Sequence, residues 1–150
     1  MAIALSTAGI KVKWAVESTA NTKPSSFTAL TGVKSISDLN PEPSQLDCTP
    51  LEELEWKQYV PGLKDVGGVV SFTANNTNAF QTEWESLVSA ATTAASSDKA
   101  TWFMIEVPGL TNSFYFTGIP SPLGLAAIEV DTILDITAYV TPNKVIGWDA

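Results

Sequence analysis

Val69-Val70-Ser71-Phe72-Thr73-Ala74, then a polar break, then Asn78-Ala79-Phe80-Gln81-Thr82-Glu83-Trp84-Glu85-Ser86-Leu87-Val88, is the stretch that decides the fold. The first six residues, entered through Gly67-Gly68, read as a strand of β-branched and aromatic residues. From Asn78 the apolar period changes. Phe80, Trp84, Leu87, Val88, Ala91 and Ala95 recur at helical spacing and form one apolar stripe, with Gln81, Glu85, Ser89 and Thr92 opposite. Asn78 is expected to cap this helix, with Gln81 completing a capping box. Ser96-Ser97-Asp98 ends it.

Outward from that pair the chain reads as strand. Ile10, Val12, Trp14 and Val16 alternate with Lys11 and Lys13, the signature of a half-buried strand, and a turn-rich loop from Ser18 to Ser26 follows. A second extended segment runs from Phe27 to Leu39 and breaks near Gly32. Pro41 and Pro43 bar Asn40–Ser44 from a central strand, because each removes a ladder donor. Leu46–Tyr59 is compatible with two short strands turning at Thr49-Pro50, and Pro61-Gly62 is expected to make a tight type II turn. Downstream, Thr101–Val107 and Ser113–Gly118 read as a hairpin. Ala126–Val140 reads as one long strand with Ile128, Val130, Thr132, Leu134, Ile136, Ala138 and Val140 on one face. Such a strand is about three times the usual length and is expected to bend or bulge. The architecture this implies is mainly β, a β-sandwich or open barrel with one flanking α-helix, in a single domain over 1–150. Long strands with one helix leave sheet edges uncovered, and a neighbouring copy can close them.

Composition excludes much chemistry. The 8 Lys+Arg are all lysine, against 16 Asp+Glu, a net charge of −8. Without arginine the chain lacks the bidentate fork for phosphate, so gripping DNA is disfavoured. There is no histidine, which removes Ser-His-Asp and Cys-His systems and the commonest metal ligand. The lone Cys48 sits beside Asp47, Glu52 and Glu53 and is expected to be a half-buried structural thiol. No apolar run approaches the roughly 20 residues of a membrane span, and no signal-peptide pattern opens the chain. A soluble, unexported protein is expected.

Three clusters remain. Glu52, Glu53 and Glu55 lack a further ligand type nearby and read as a solvated acidic run, not a metal site. Glu129, Asp131 and Asp135 fall on one face of the long strand, a row without the cleft a glycosidase needs. Trp14 and Trp84 lie in apolar stripes and read as core, while Trp56, Trp102 and Trp148 suit interface anchors or a sugar platform. No phosphate loop is present, and no catalytic, cofactor or metal residue is assigned. The chain is expected not to be an enzyme. A monomeric carbohydrate-binding β-sandwich and a small acidic hydrolase are the alternatives from other classes.

The run from Lys57 to Phe72 resembles the siphophage major tail tube protein family, in which a Tyr-x-Pro-Gly-Leu-Lys-Asp-x-Gly stretch leads into a strand. Here that stretch is Tyr59, Pro61, Gly62, Leu63, Lys64, Asp65, Gly67 and Gly68, and an upstream Leu-Asp-x-Thr matches at Leu46-Asp47-Cys48-Thr49. The order of elements from Ile10 to Val145 is similar as well. The resemblance implies a virion protein, made in the host cytoplasm, whose copies form hexameric rings that stack into a tail tube. Its partners would be itself and other tail proteins, such as tape measure, terminator and distal tail proteins. DNA would pass through the lumen without specific binding. A loop or hairpin at about 40–60 is then expected to reach the adjacent ring, with Leu51, Leu54 and Trp56 as contacts. Flexible arms are expected at 1–9 and 143–150, and an appended immunoglobulin-like domain is not expected. Glu129, Asp131 and Asp135 are expected to face the lumen, where negative charge repels the duplex. Tube proteins of contractile tails and secretion-like systems share the general fold.

Overall fold

The structure, a computed structural model, describes residues 4–40, 42–65 and 68–149. Its elements run β1 (Lys11–Val16), β2 (Thr28–Ala29), β3 (Val33–Ile36), β4 (Glu42–Asp47), β5 (Tyr59–Asp65), β6 (Val70–Asn75), α1 (Asn78–Ser96), β7 (Thr101–Glu106), β8 (Ser113–Pro120) and β9 (Asp135–Asp149). Seven strands form one antiparallel sheet in the order β2-β1-β7-β8-β9-β6-β3, and β4 pairs with β5 alone. This is a mainly β, sandwich-like fold with one flanking helix.

Strand β9 makes the sandwich. Its first part, Asp135–Val140, pairs with β6, and Val140–Asp149 pairs with β8. The β8 register slips at Tyr115/Phe116 and at Thr117/Gly118, and such irregularities bend a strand. At the second slip a Cβ on Gly118 would lie 2.7 Å from Val140 Cγ1 and 2.8 Å from the Thr141 carbonyl, so only glycine allows this approach. Folding over is visible in the aromatic core. Phe72 on β6 and Phe103 on β7 have ring centroids 6.4 Å apart. Three strand steps separate them in the sheet, about 14 Å if it were flat.

Period-2 patterning sets which residues enter that core. Val70, Phe72 and Ala74 on β6 and Ile136, Ala138 and Val140 on β9 are all buried. Phe103 and Phe116 are register partners on β7 and β8, stacked at 5.2 Å. The helix closes the core with Phe80, Trp84 and Leu87, all fully buried, and Ala91 and Ala94. Ala94, not Ala95, faces inward. Trp84 Nε1 donates to the Ser121 carbonyl at 2.8 Å, which satisfies its polar edge. Burying each such large side chain contributes about 1.5–3 kcal/mol.

The helix begins one residue earlier than expected. Thr77, not Asn78, is the N-cap, and its hydroxyl accepts from Phe80 N at 3.2 Å. Gln81 Nε2 donates to Asn76 Oδ1, outside the helix. At the other end Asp98 takes φ 57 and Lys99 N donates back to the Ala94 carbonyl at 2.9 Å, a left-handed stop just past Ser96-Ser97. Glu83 accepts from the N–H and hydroxyl of Thr31, tying helix to sheet.

A second buried site lies around Glu17, which accepts 2.8 Å bonds from Ala100 N and from Trp102 Nε1. Burial pushes this carboxyl up, but the donors at Ala100, Trp102 and Asn21 outweigh it and hold it below its ordinary value. Trp102, 8% exposed, is therefore a core residue and not an anchor or platform.

Two expectations about the long C-terminal strand need correction. Residues 126–134 are not strand: β9 begins at Asp135, the partner of Asn75, where β6 gives way to the helix. Alternation marked the segment as extended, yet β6 has no residues left to pair with it. Conversely, Asn143–Asp149, expected within a flexible arm, lies in β9 against β8. Met1–Ile3 and Ala150 of the expected arms, Pro41, and Gly67 of the motif lie outside the described residues.

Candidate assembly interface

The hairpin of β4 and β5 stands apart from the body: its strands pack chiefly on each other. The register is Leu46↔Val60 and Asp47↔Tyr59, with a shift between Pro43 and Gln45. Prolines are tolerated because each strand of a two-stranded sheet has one free side. Pro61-Gly62 is consequently no turn. Both residues lie inside β5, and a Cβ on Gly62 would stand 2.4 Å from Ser44 Oγ, so glycine here permits close strand approach. The expected turn at Thr49-Pro50 is replaced by the whole loop 48–58. Tyr59, Leu63, Lys64 and Asp65 belong to the same strand, and Gly68 takes φ 107 after it.

The loop at the tip is ordered by its own polar groups. Thr49 N donates to Asp47 Oδ1 at 3.0 Å, and Gln58 N donates to Thr49 Oγ1 at 2.7 Å. Glu53 Oε1 accepts from Glu55 N at 3.0 Å and Trp56 N at 3.3 Å. Those donors, Glu55 first, hold the Glu53 carboxyl below its ordinary value; the Thr49 side chain and then its backbone do the same for Asp47. Apolar groups take no part. Leu51 is 100% exposed, Leu54 92% and Trp56 75%, and Leu63 is exposed near the root. Cys48 is also exposed, its thiol 3.5 Å from the Gln58 carbonyl, which corrects the half-buried expectation.

At the arm's root lies an open groove of about 830 Å³. Ile105, Phe114, Val145 and Trp148 give it apolar walls, and Lys64 and Lys144 line it together with one described carboxylate residue, Asp38. Trp148 is half exposed and meets Phe114 edge-on at 5.4 Å. Sequence reasoning missed this groove because 143–149 read as a flexible end. The alternation of Val145 with Gly147 and Ile146 with Trp148 was too short a signal to assign a face.

The acidic trio does not share a strand face. Glu129 and Asp131 sit in the irregular, exposed stretch before β9, where Asp131 has φ 59 and Thr132 Oγ1 donates to the Glu129 carbonyl. Asp135 alone is in β9, and it pairs with Lys34 at 2.7 Å. The same stretch exposes Leu125, Ile128, Val130 and Ile133. The outer strands of the large sheet, β2 and β3, are short, so the free edges are chiefly those of the arm. Among the described residues no group of three or more His, Cys, Asp or Glu gathers as a metal site, and no helix is long and apolar enough to cross a membrane.

No protein-family model matches the chain, and no curated protein sequence does. Solved structures do share its fold. A chain of the cryo-EM structure of the anti-feeding prophage baseplate, six-fold symmetrised, superposes with a TM-score of 0.67 at 10% identity, covering 97% of this chain and 95% of that one. A chain of the anti-feeding prophage tube-terminating cap gives 0.63 at 12% identity, covering 100% and 94%. The likeness is one of fold over essentially the whole of both partners.

Proposed function

We propose that this chain is a non-catalytic structural subunit of a phage-type tail, and that its copies assemble as hexameric rings stacked into a tail tube. The observation that carries this reading is the arm. Its tip uses every ordering hydrogen bond internally and leaves Leu51, Leu54 and Trp56 in water, an arrangement that is favourable only if another surface removes them from it. The fold neighbours support it, being chains of a baseplate and of a tube-terminating cap. In this reading other tail proteins bind the ends, the protein resides in the virion, and DNA passes without being held. The net charge of −8 and the lack of arginine suit a conduit that repels phosphate. Glu129 and Asp131 are proposed to face the lumen; Asp135 contributes less, being paired with Lys34.

Size-exclusion chromatography with light scattering, followed by negative-stain microscopy, tests the reading. Rings or hollow tubes are expected, and a chain without residues 51–56 should stay a folded monomer. A wild-type chain that remains monomeric at high concentration overturns the proposal. A second reading, a ring at one end of a tube, is favoured by the baseplate and cap neighbours. It predicts rings that stop without elongating.

A further inference from the structure

We infer that the arm tip of one copy docks in the groove at the arm root of the next, a heterologous contact that joins one copy to another. The inference rests on the self-assembly reading and specifies its contact. Two surfaces left unpartnered in the monomer are complementary. The tip carries exposed Leu51, Leu54 and Trp56 among Glu52 and Glu55, whose carboxylates take no part in the loop's hydrogen bonds given above. The groove offers half-buried Ile105, Phe114 and Val145 with Lys64 and Lys144 against one described carboxylate residue, Asp38, in a chain of net charge −8. Its volume of about 830 Å³ accommodates more than one apolar side chain.

Geometry argues against the chain's own tip as the occupant, and the charge and apolar match points to the tip of a second copy. Lys64 lines the groove, and β5 runs from there back to Tyr59, roughly 17 Å of extended chain, before the tip begins. The paired hairpin therefore places its tip away from its own groove. Tip and groove are different patches, so pairing them between copies leaves one of each free at either end. Contacts of that kind close into rings or continue as filaments, and do not stop at a dimer.

Charge exchange tests the contact. Glu52→Lys with Glu55→Lys should raise the concentration needed for assembly by at least about tenfold, because like charges then meet at a desolvating interface. Lys64→Glu with Lys144→Glu should do the same. Neither pair should alter thermal unfolding of the dilute chain, as all four side chains are exposed. The two defective chains mixed together should co-assemble, since each tip then meets an oppositely charged groove, and a chain carrying all four changes should assemble alone. Wild-type assembly without recovery in either the mixture or the fourfold variant overturns the contact while leaving self-assembly standing. A wild-type chain that never assembles overturns both.

Discussion

The body and the arm spend similar residues in opposite ways. In the body, Phe72, Phe80, Trp84, Phe103 and Phe116 are wholly removed from water, and the polar edge of Trp84 is answered by the Ser121 carbonyl. In the arm Asp47, Thr49 and Glu53 accept hydrogen bonds that order the tip, while the apolar side chains stay in water. Hydrogen bonding alone can order a hairpin tip, but burial is what makes a fold independent of its surroundings. By that measure the body's fold is independent of its surroundings, whereas the arm keeps Leu51, Leu54 and Trp56 in water.

That contrast can be broken or sharpened by substitution in the dilute, unassembled chain. The largest effect should come from Trp84→Ala, which empties the core and strands the Ser121 carbonyl; urea denaturation should show a loss of about 3–5 kcal/mol. A loss under about 1 kcal/mol would mean the core is not where stability resides. Next, Glu17→Gln places an amide donor against Ala100 N or Trp102 Nε1 and should cost about 1–3 kcal/mol at neutral pH. Its folded carboxyl titrates below the ordinary 4.5, so its contribution is present above that value and is lost as pH falls through the folded one. The gap between the variant and the wild type should accordingly narrow below pH 4.5, and a constant gap would contradict the assignment. Thr77→Ala removes the helix cap and should cost about 1 kcal/mol, whereas Asn78→Ala should cost less. Smallest of all, Leu54→Ser with Trp56→Ser should change monomer stability by no more than about 0.5 kcal/mol. The same pair should abolish assembly in light scattering, which is where the two regions part most sharply.

Much of the body was legible in the sequence. The alternation on β6 and the second half of 126–140, and the stripe from Phe80 to Ala91, lie where their periodicity placed them, because burial on one face imposes period 2 or 3.6 directly. The misplacements share a cause. Thr77 and Asn78 are both good caps, and only the chain's path selected Thr77. Pro61-Gly62 has turn chemistry, yet a proline on a free edge and a glycine opposite Ser44 serve a hairpin equally well. Residues 126–134 alternate as a strand does, but alternation does not say whether a partner strand is within reach.

By itself, then, the sequence determined the class of fold, the helix and its buried stripe, and the exclusion of histidine- and arginine-dependent chemistry. Tertiary structure alone decided that β9 runs on through Asp149, that Glu129 and Asp131 leave the strand, and that Lys64 and Lys144 line an apolar groove away from the tip. The division is physical. Periodicity is a property of one segment and its nearest face, whereas pairing, grooves and charge neighbourhoods depend on which distant segments the folded chain brings side by side.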